Sequence, residues 1–452
     1  MILLNIFQCC SLIFFQPLFR KKHKKLLAYK LSYNNYLIYL LLAGFIFTSS
    51  CVRSDDIPDF SSSNTGPYII NTSYLDIVKE NLESDPILQE EYQLLINGAN
   101  RFLSHNFRFV TEKPQVPPGG SINDYVSISR YWHPDSTGAH TIYKDGITNP
   151  LVEQFDRPKL AEMSSGVFTL ALAYYMSGDE DYAEKAADIL RKWFFEPYTR
   201  MNPNMNFAQI RLGVPDTGGG GSPGIIDAND FIQVIDAASL IYDSASWSGQ
   251  SHIQLKEWFY QFSRWVIRNY NADAYSTTNV STWLDVQRAI YFMLSEQEDK
   301  LNSGFYIPPV SDRINTHFDA TGNQPNEVTR GRPQHYVYFN LRGYMNLTHL
   351  RRNRTVADRD WQLLDKEDIG GLKPALDMIA DYITGNQLPG TFVTEPGFDD
   401  CRYYELMRPA ALAFSSLYYE SAANQLLNRG CRNSAITLVY PSLELLNNAD
   451  QP

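Results

Sequence analysis

Residues 164–195, SSGVFTLALAYYMSGDEDYAEKAADILRKWFF, decide the fold class. Val167, Leu170, Ala171, Tyr174 and Tyr175 recur at helical spacing and share one face. Ser177-Gly178-Asp179 breaks the period, with a glycine where a helix end wants a left-handed residue. Asp181 followed by Glu184 makes a capping-box pattern that opens a second helix running through Phe195. The stretch is a helical hairpin, and a lone hairpin cannot cover its own apolar stripes. It needs neighbours of the same kind.

Those neighbours are present on the C-terminal side. Helical periodicity returns at about 228–243, 251–269, 282–295, 340–351, 374–384 and 406–427, separated by Gly, Pro and Asn loops. Strand-like alternation is scarce. Consecutive hairpins without strands predict an all-α fold, an α/α toroid or an α-solenoid, and no strict sequence period supports the solenoid. The expected architecture is therefore an incomplete (α/α) toroid built of antiparallel helical hairpins. Residues 201–226, with a glycine run at Gly218 to Gly221, and residues 303–335 are too rich in turn residues for helix. Loops of that length inside a compact domain usually carry function. The glycine run lacks the Lys-Ser/Thr of a phosphate loop and reads as a lid or surface loop.

Composition sets limits on the partners. With 44% hydrophobic and 20% charged residues, the chain can bury a large core. Its 29 Tyr, 25 Phe and 7 Trp go mostly into that core, with a minority left for a sugar-stacking cleft. Arg20, Lys21, Lys22, Lys24 and Lys25 precede an apolar run from Tyr36 to Thr48, followed by Ser49, Ser50 and Cys51. This resembles a bacterial lipoprotein signal over residues 1–51, with Cys51 lipidated, an ordinary membrane anchor being the alternative. The apolar stretch Ile2 to Phe19 fits neither and suggests a start codon downstream of Met1. Residues 52–67 read as a flexible tether and 68–452 as the folded domain. Loss of residues 1–51 removes six bases (Arg20, Lys21, Lys22, Lys24, Lys25, Lys30) and no acid, taking the formal net charge from −11 to −17. That balance argues against a nucleic-acid partner. The expected localisation is periplasmic or outer-membrane, with the membrane touched only through the lipid. Cys401 and Cys431 remain, free to pair in an oxidising compartment, and neither a metal-ligand spacing nor a cofactor motif is present.

A series of short motifs then points to chemistry. In order they are Tyr131-Trp132-His133-Pro134-Asp135, Asp145-Gly146 with Asn149-Pro150, Leu172-Ala173-Tyr174-Tyr175 with Gly178-Asp179, and Thr199-Arg200-Met201-Asn202-Pro203-Asn204 with Ala208-Gln209. Gly224-Ile225-Ile226-Asp227, Asn279-Val280-Ser281-Thr282-Trp283-Leu284-Asp285-Val286-Gln287 and Gln324-Pro325-Asn326-Glu327 leading to His335-Tyr336 complete it. Each is weak alone, but the ordered set over roughly residues 125–350 resembles the alginate lyases among the α/α-toroid polysaccharide lyases.

The resemblance implies β-elimination at a uronate of an anionic polysaccharide, most simply alginate. Removing the C5 proton puts charge beside a carboxylate, so donors aimed at that carboxylate stabilise the intermediate. In this family an Asn and a His bind the carboxylate, a Tyr serves as base and acid, and an Arg stands near. Asn279 falls on the Asn, just before a helix expected to start near Thr282, whose positive end would favour the anion. Tyr336 falls on the Tyr, and Arg330 or Arg332 on the Arg, either placed to lower the tyrosine pKa. His335 is a further catalytic candidate. Tyr131, Trp132, His133, Asn204, Gln209 and Trp283 are candidates for lining sugar subsites, Trp283 and Asp285 also serving helix packing.

One departure stands out: where the family has its histidine, this chain has Val280, which can neither donate nor carry charge. Three readings compete: another histidine (His133, His140, His317 or His335) supplies the missing group, the substrate is different, or the protein is a sugar-binding lipoprotein of reduced activity. A hydrolase reading would need two carboxylates across the cleft, with Asp145, Glu153 and Glu327 available.

Overall fold

The computed structural model describes residues 58–60, 65–137, 141–211, 223–271, 273–353, 361–365 and 370–449. The expected signal segment, Cys51, most of the expected tether, His140 and the glycine run lie outside the described residues. A compact unit spans Asp59–Pro452. Of the unit before it, Met1–Pro58, only Pro58 is described.

The helices are α1 (Thr72–Glu80), α2 (Pro86–Leu103), α3 (Asp156–Ser177), α4 (Glu180–Phe194), α5 (Phe231–Leu240), α6 (Gly249–Asn269) and α7 (Asn279–Leu294). They continue as α8 (Val310–His317), α9 (Pro333–Asn353), α10 (Leu372–Thr384), α11 (Tyr404–Ala413), α12 (Leu417–Asn428), α13 (Ser434–Val439) and α14 (Leu443–Ala449). Helices α2, α3, α5, α7, α9, α11 and α13 each pack on the next, and α13 packs on α2. This inner ring is backed by α4 on α3, α6 on α7 and α12 on α11, so the protein is an (α/α) toroid. Two small two-stranded sheets sit beside it: β1 (Val126–Ile128) pairs in parallel with β4 (Phe207–Ile210), and β2 (Trp132–Pro134) pairs antiparallel with β3 (Thr141–Tyr143).

The 164–195 hairpin forms with one adjustment. Gly178 ends α3 in the left-handed region at φ 76°, but the cap of α4 is Asp179, whose carboxylate accepts the Asp181 N–H, rather than Asp181 itself. Three further readings need correction. The segment 303–335 is not all loop, since α8 and the first turn of α9 lie within it. The stretch 406–427 is two helices, broken where Ser415 takes φ 47°. Helix α7 starts at Asn279, three residues before the expected point.

Buried polar groups tie the ring together. The Asp236 carboxylate on α5 accepts the backbone N–H groups of Tyr68, Ile69 and Ile70 at 2.7, 3.0 and 3.1 Å, pinning the start of the folded chain. Phe60, inside the expected tether, is 5% exposed with its ring 5.8 Å from that of Tyr260. Arg313 on α8 pairs with Asp285 on α7 at 2.7 Å. Cys401 and Cys431 form a disulfide with Cα atoms 4.9 Å apart.

Candidate active site

Tyr336 lies in the first turn of α9, and its hydroxyl is the hub of the site. It accepts a hydrogen bond from Arg330 Nη2 at 2.9 Å and donates to the Tyr131 hydroxyl at 2.8 Å. The Arg330 guanidinium also lies over the Tyr336 ring, 3.9 Å from its centroid. Asp145 holds that guanidinium in place, accepting from Nε and Nη2 at 3.1 Å each while also accepting the Gly331 N–H at 2.7 Å and the Tyr143 hydroxyl at 2.9 Å. The loop 330–332 and the Asp145-Gly146 turn meet backbone to backbone: a Cβ on Gly331 would stand 2.7 Å from the Asp145 carbonyl oxygen. Only glycine permits this approach, which brings the β2–β3 pair onto the start of α9.

The electrostatics differ from the sequence expectation. Burial and the Tyr131 hydroxyl push the Tyr336 pKa up well beyond the ordinary phenol range, and the lowering pull of Arg330 is outweighed. Asp145, which already compensates Arg330, adds to the rise after burial and Tyr131. Burial works to raise the Asp145 carboxyl, but hydrogen bonds from Arg330, Gly331 and Tyr143 hold it below the usual carboxylate range. The free site therefore holds a protonated tyrosine beside an intact ion pair.

The two candidate arginines make different contacts. Arg330 serves Tyr336, whereas Arg332 turns to Glu395 at 2.8 Å. Glu395 also accepts the His335 N–H at 3.3 Å. The His335 ring stacks on Phe339 at 5.9 Å with 12° between planes, lies edge-on to Tyr336 at 5.2 Å, and takes a hydrogen bond at Nδ1 from Arg402 at 3.1 Å. Arg402 and Glu395 escaped the sequence reading, since nothing in their local pattern marks them.

Asn279 is brought near, but in a different posture from the one expected. Its backbone N–H and side-chain amide both donate to Glu327, at 2.6 and 2.8 Å. The positive end of α7 is thus already capped by a protein carboxylate rather than left open for a substrate anion. Burial raises the Glu327 pKa against those two hydrogen bonds and the attraction of Arg330. Val280 is half-buried and packs on the core.

The subsite candidates divide. The Trp132 ring carries Arg211 at 4.5 Å and lies 5.3 Å from that of Tyr143. His133 gives its Nε2 to the Ile147 carbonyl on the exposed side of the same hairpin. Gln209, at φ 51° in β4, binds Asp227, which also takes the hydroxyls of Tyr125 and Ser127. Asn204 sits apart, its amide on Asp124, and no contact among the described residues joins it to Tyr336. Trp283 is 2% exposed, stacks on Phe339 at 4.8 Å and donates to its carbonyl. Trp283, Phe339, Arg342, Arg157 and Asp230 line a cavity of about 800 Å³ along the inner helices. His317 is spent in the core on Ser281, Thr282, Tyr344 and the Ser276 carbonyl. Among the described residues no cluster of three or more His, Cys, Asp or Glu side chains could hold a metal, and no helix is long and apolar enough to cross a membrane.

Against known families, the model for alginate lyase matches residues 109–388, more than half of the chain. The chain belongs to the alginate lyase family. Its fold is similar to the crystal structure of an alginate lyase from Bacteroides ovatus, with a TM-score of 0.71 and 28% sequence identity. That likeness covers 83% of this alginate-lyase-family chain and 99% of the other. No curated protein matches the sequence. The family membership supports a polysaccharide lyase and implies a polysaccharide substrate.

Proposed function

We propose that the protein cleaves a uronate polymer, most simply alginate, by β-elimination with Tyr336 as the proton-transfer residue. The observation that carries this is the Tyr131–Tyr336–Arg330–Asp145 chain of hydrogen bonds at the start of α9. The Tyr336 proton leaves first, with the Tyr131 hydroxyl as its relay to solvent, and Arg330 stabilises the phenolate that remains. The phenolate oxygen takes the C5 proton, the C5–H electron pair forms the C4–C5 double bond, and the C4–O4 bond breaks with its pair on O4. Tyr336 then returns the proton to O4, so atoms and charge balance within one sugar step. Asp145 is held by Arg330 and Glu327 by Asn279, so two of the three carboxylates that a hydrolase could use are already engaged.

Export with a lipid on Cys51 is proposed as well, supported by the basic and apolar pattern before it and by the Cys401–Cys431 disulfide. The test is to incubate the purified protein with alginate, glucuronan and glycosaminoglycans and follow the ultraviolet absorbance of the unsaturated product. Absorbance growth on at least one uronate polymer is expected. Binding without any unsaturated product would move the protein to the sugar-binding reading that Val280 motivates.

A further inference from the structure

We propose that His335, ringed by Arg130, Arg332 and Arg402, is the group that binds the uronate carboxylate, so that the anion site sits on α9 rather than at the start of α7. The inference rests on the lyase reading for its chemistry but on separate residues for its geometry. Arg402 has only donors to offer, so the His335 Nδ1 that meets its Nη1 at 3.1 Å must be the lone-pair nitrogen. The ring is therefore the neutral tautomer with its proton on Nε2, at the end of the imidazole turned away from Arg402. No described residue accepts that proton, and the side chain is half-exposed.

The surroundings select an anion. Burial and the charges of Arg332, Arg402 and Arg130, opposed only by Glu395, hold the imidazole pKa at about 4. Three cations face one carboxylate there. Such an excess of positive charge at a donor with a free proton is a site for a carboxylate. Its position suits the reaction, because the ring touches Tyr336 on its edge and Phe339, a wall of the large cavity, on its face. A sugar placed over Tyr336 can thus present its acid group to Nε2 while its C5 proton faces the phenol. The alternatives at α7 are closed, since Val280 has no donor and the helix end is held by Glu327.

The test uses the purified full chain and the uronate polymer that the wild type cleaves. His335→Ala should lower kcat/KM about a hundredfold, in the range lost with one transition-state donor. His335→Gln, which keeps an N–H, should recover part of that loss. Calorimetry gives a second readout: wild type should bind a uronate oligosaccharide more tightly than its carboxyl-reduced counterpart, and His335→Ala should lose the preference. A His335→Ala protein, or His335→Phe, which keeps the ring stack without an N–H, if the alanine variant is unfolded, that retains both rate within about threefold and the preference for the acid overturns the proposal. A wild type that makes no unsaturated product yet shows the His335-dependent preference defeats the lyase reading alone and supports this carboxylate site.

Discussion

Replacing Tyr336 by Phe removes one oxygen and nothing else. That oxygen makes two hydrogen bonds, from Arg330 at 2.9 Å and to Tyr131 at 2.8 Å. Neither partner is stranded by its loss. Arg330 keeps both bonds to Asp145, and its side chain is 28% exposed, so water can take the vacated place. The expected stability loss is about 1 kcal/mol, the net worth of a replaceable hydrogen bond, or about 1–2 °C in Tm for a domain of this size. The rate should respond on a different scale. With no group left to carry the proton, kcat should fall about a thousandfold or more, within the span of general acid–base contributions. Thermal melts and initial rates of unsaturated product measure the two quantities on the same sample. A Tyr336→Phe protein that keeps its rate within about tenfold would refute the assignment, and a rate loss matched by an unfolded melt would show that the hydroxyl is only structural.

Three other outcomes follow from the geometry. Mutating Cys401 and Cys431 to Ser together opens a cross-link between positions 30 residues apart and should cost about 3–4 kcal/mol, read from urea unfolding with the reduced wild type as control. Asp145 has a folded pKa below the ordinary carboxylate value, so its stabilisation is complete above about pH 4 and disappears as pH falls through the lower folded value. The Tm gap between wild type and Asp145→Asn should therefore close on acidification, and a gap that stays constant would contradict the ion pair. Burial, with Arg313 beside it, holds His317 at about 4 against an ordinary 6.5, so the unfolded chain takes up the proton first. Wild-type stability should then fall as pH drops from about 6.5 toward 4, and His317→Gln should flatten that part of the urea-midpoint curve.

The toroid was legible because the apolar periodicity of α4 and α6 is long and regular and α3 and α7 are apolar over most of their length. Helix α8 was not, because its inward face mixes Val310 and Ile314 with Arg313 and His317, which periodicity counts as surface. Those two are buried only because Asp285 and the Ser281–Thr282 pair meet them from α7. The break at Ser415 was hidden for the converse reason, since Ala410 to Leu412 and Tyr419 to Ala423 read as one apolar stripe across it. In the site, Tyr336 and Arg330 are close in sequence and were found together. Asp145 lay in a recognised motif, yet its partner is 185 residues away and nothing local announces it. The reading of a lowered tyrosine pKa failed because it counted the arginine without the burial of the phenol and its contact with Tyr131, neither of which local sequence announces.

The span between Asp145 and Arg330 has a consequence for how the enzyme comes into being. Hairpins α3 to α8 occupy that interval, so the clamp on Tyr336 closes only after they have stacked, and contacts of such long range form late. A chain cut or halted between the two positions holds the proton-relay tyrosine on one fragment and the proton-transfer tyrosine on the other. A chain halted before Arg330 therefore cannot assemble the clamp at all, however many of its hairpins have stacked.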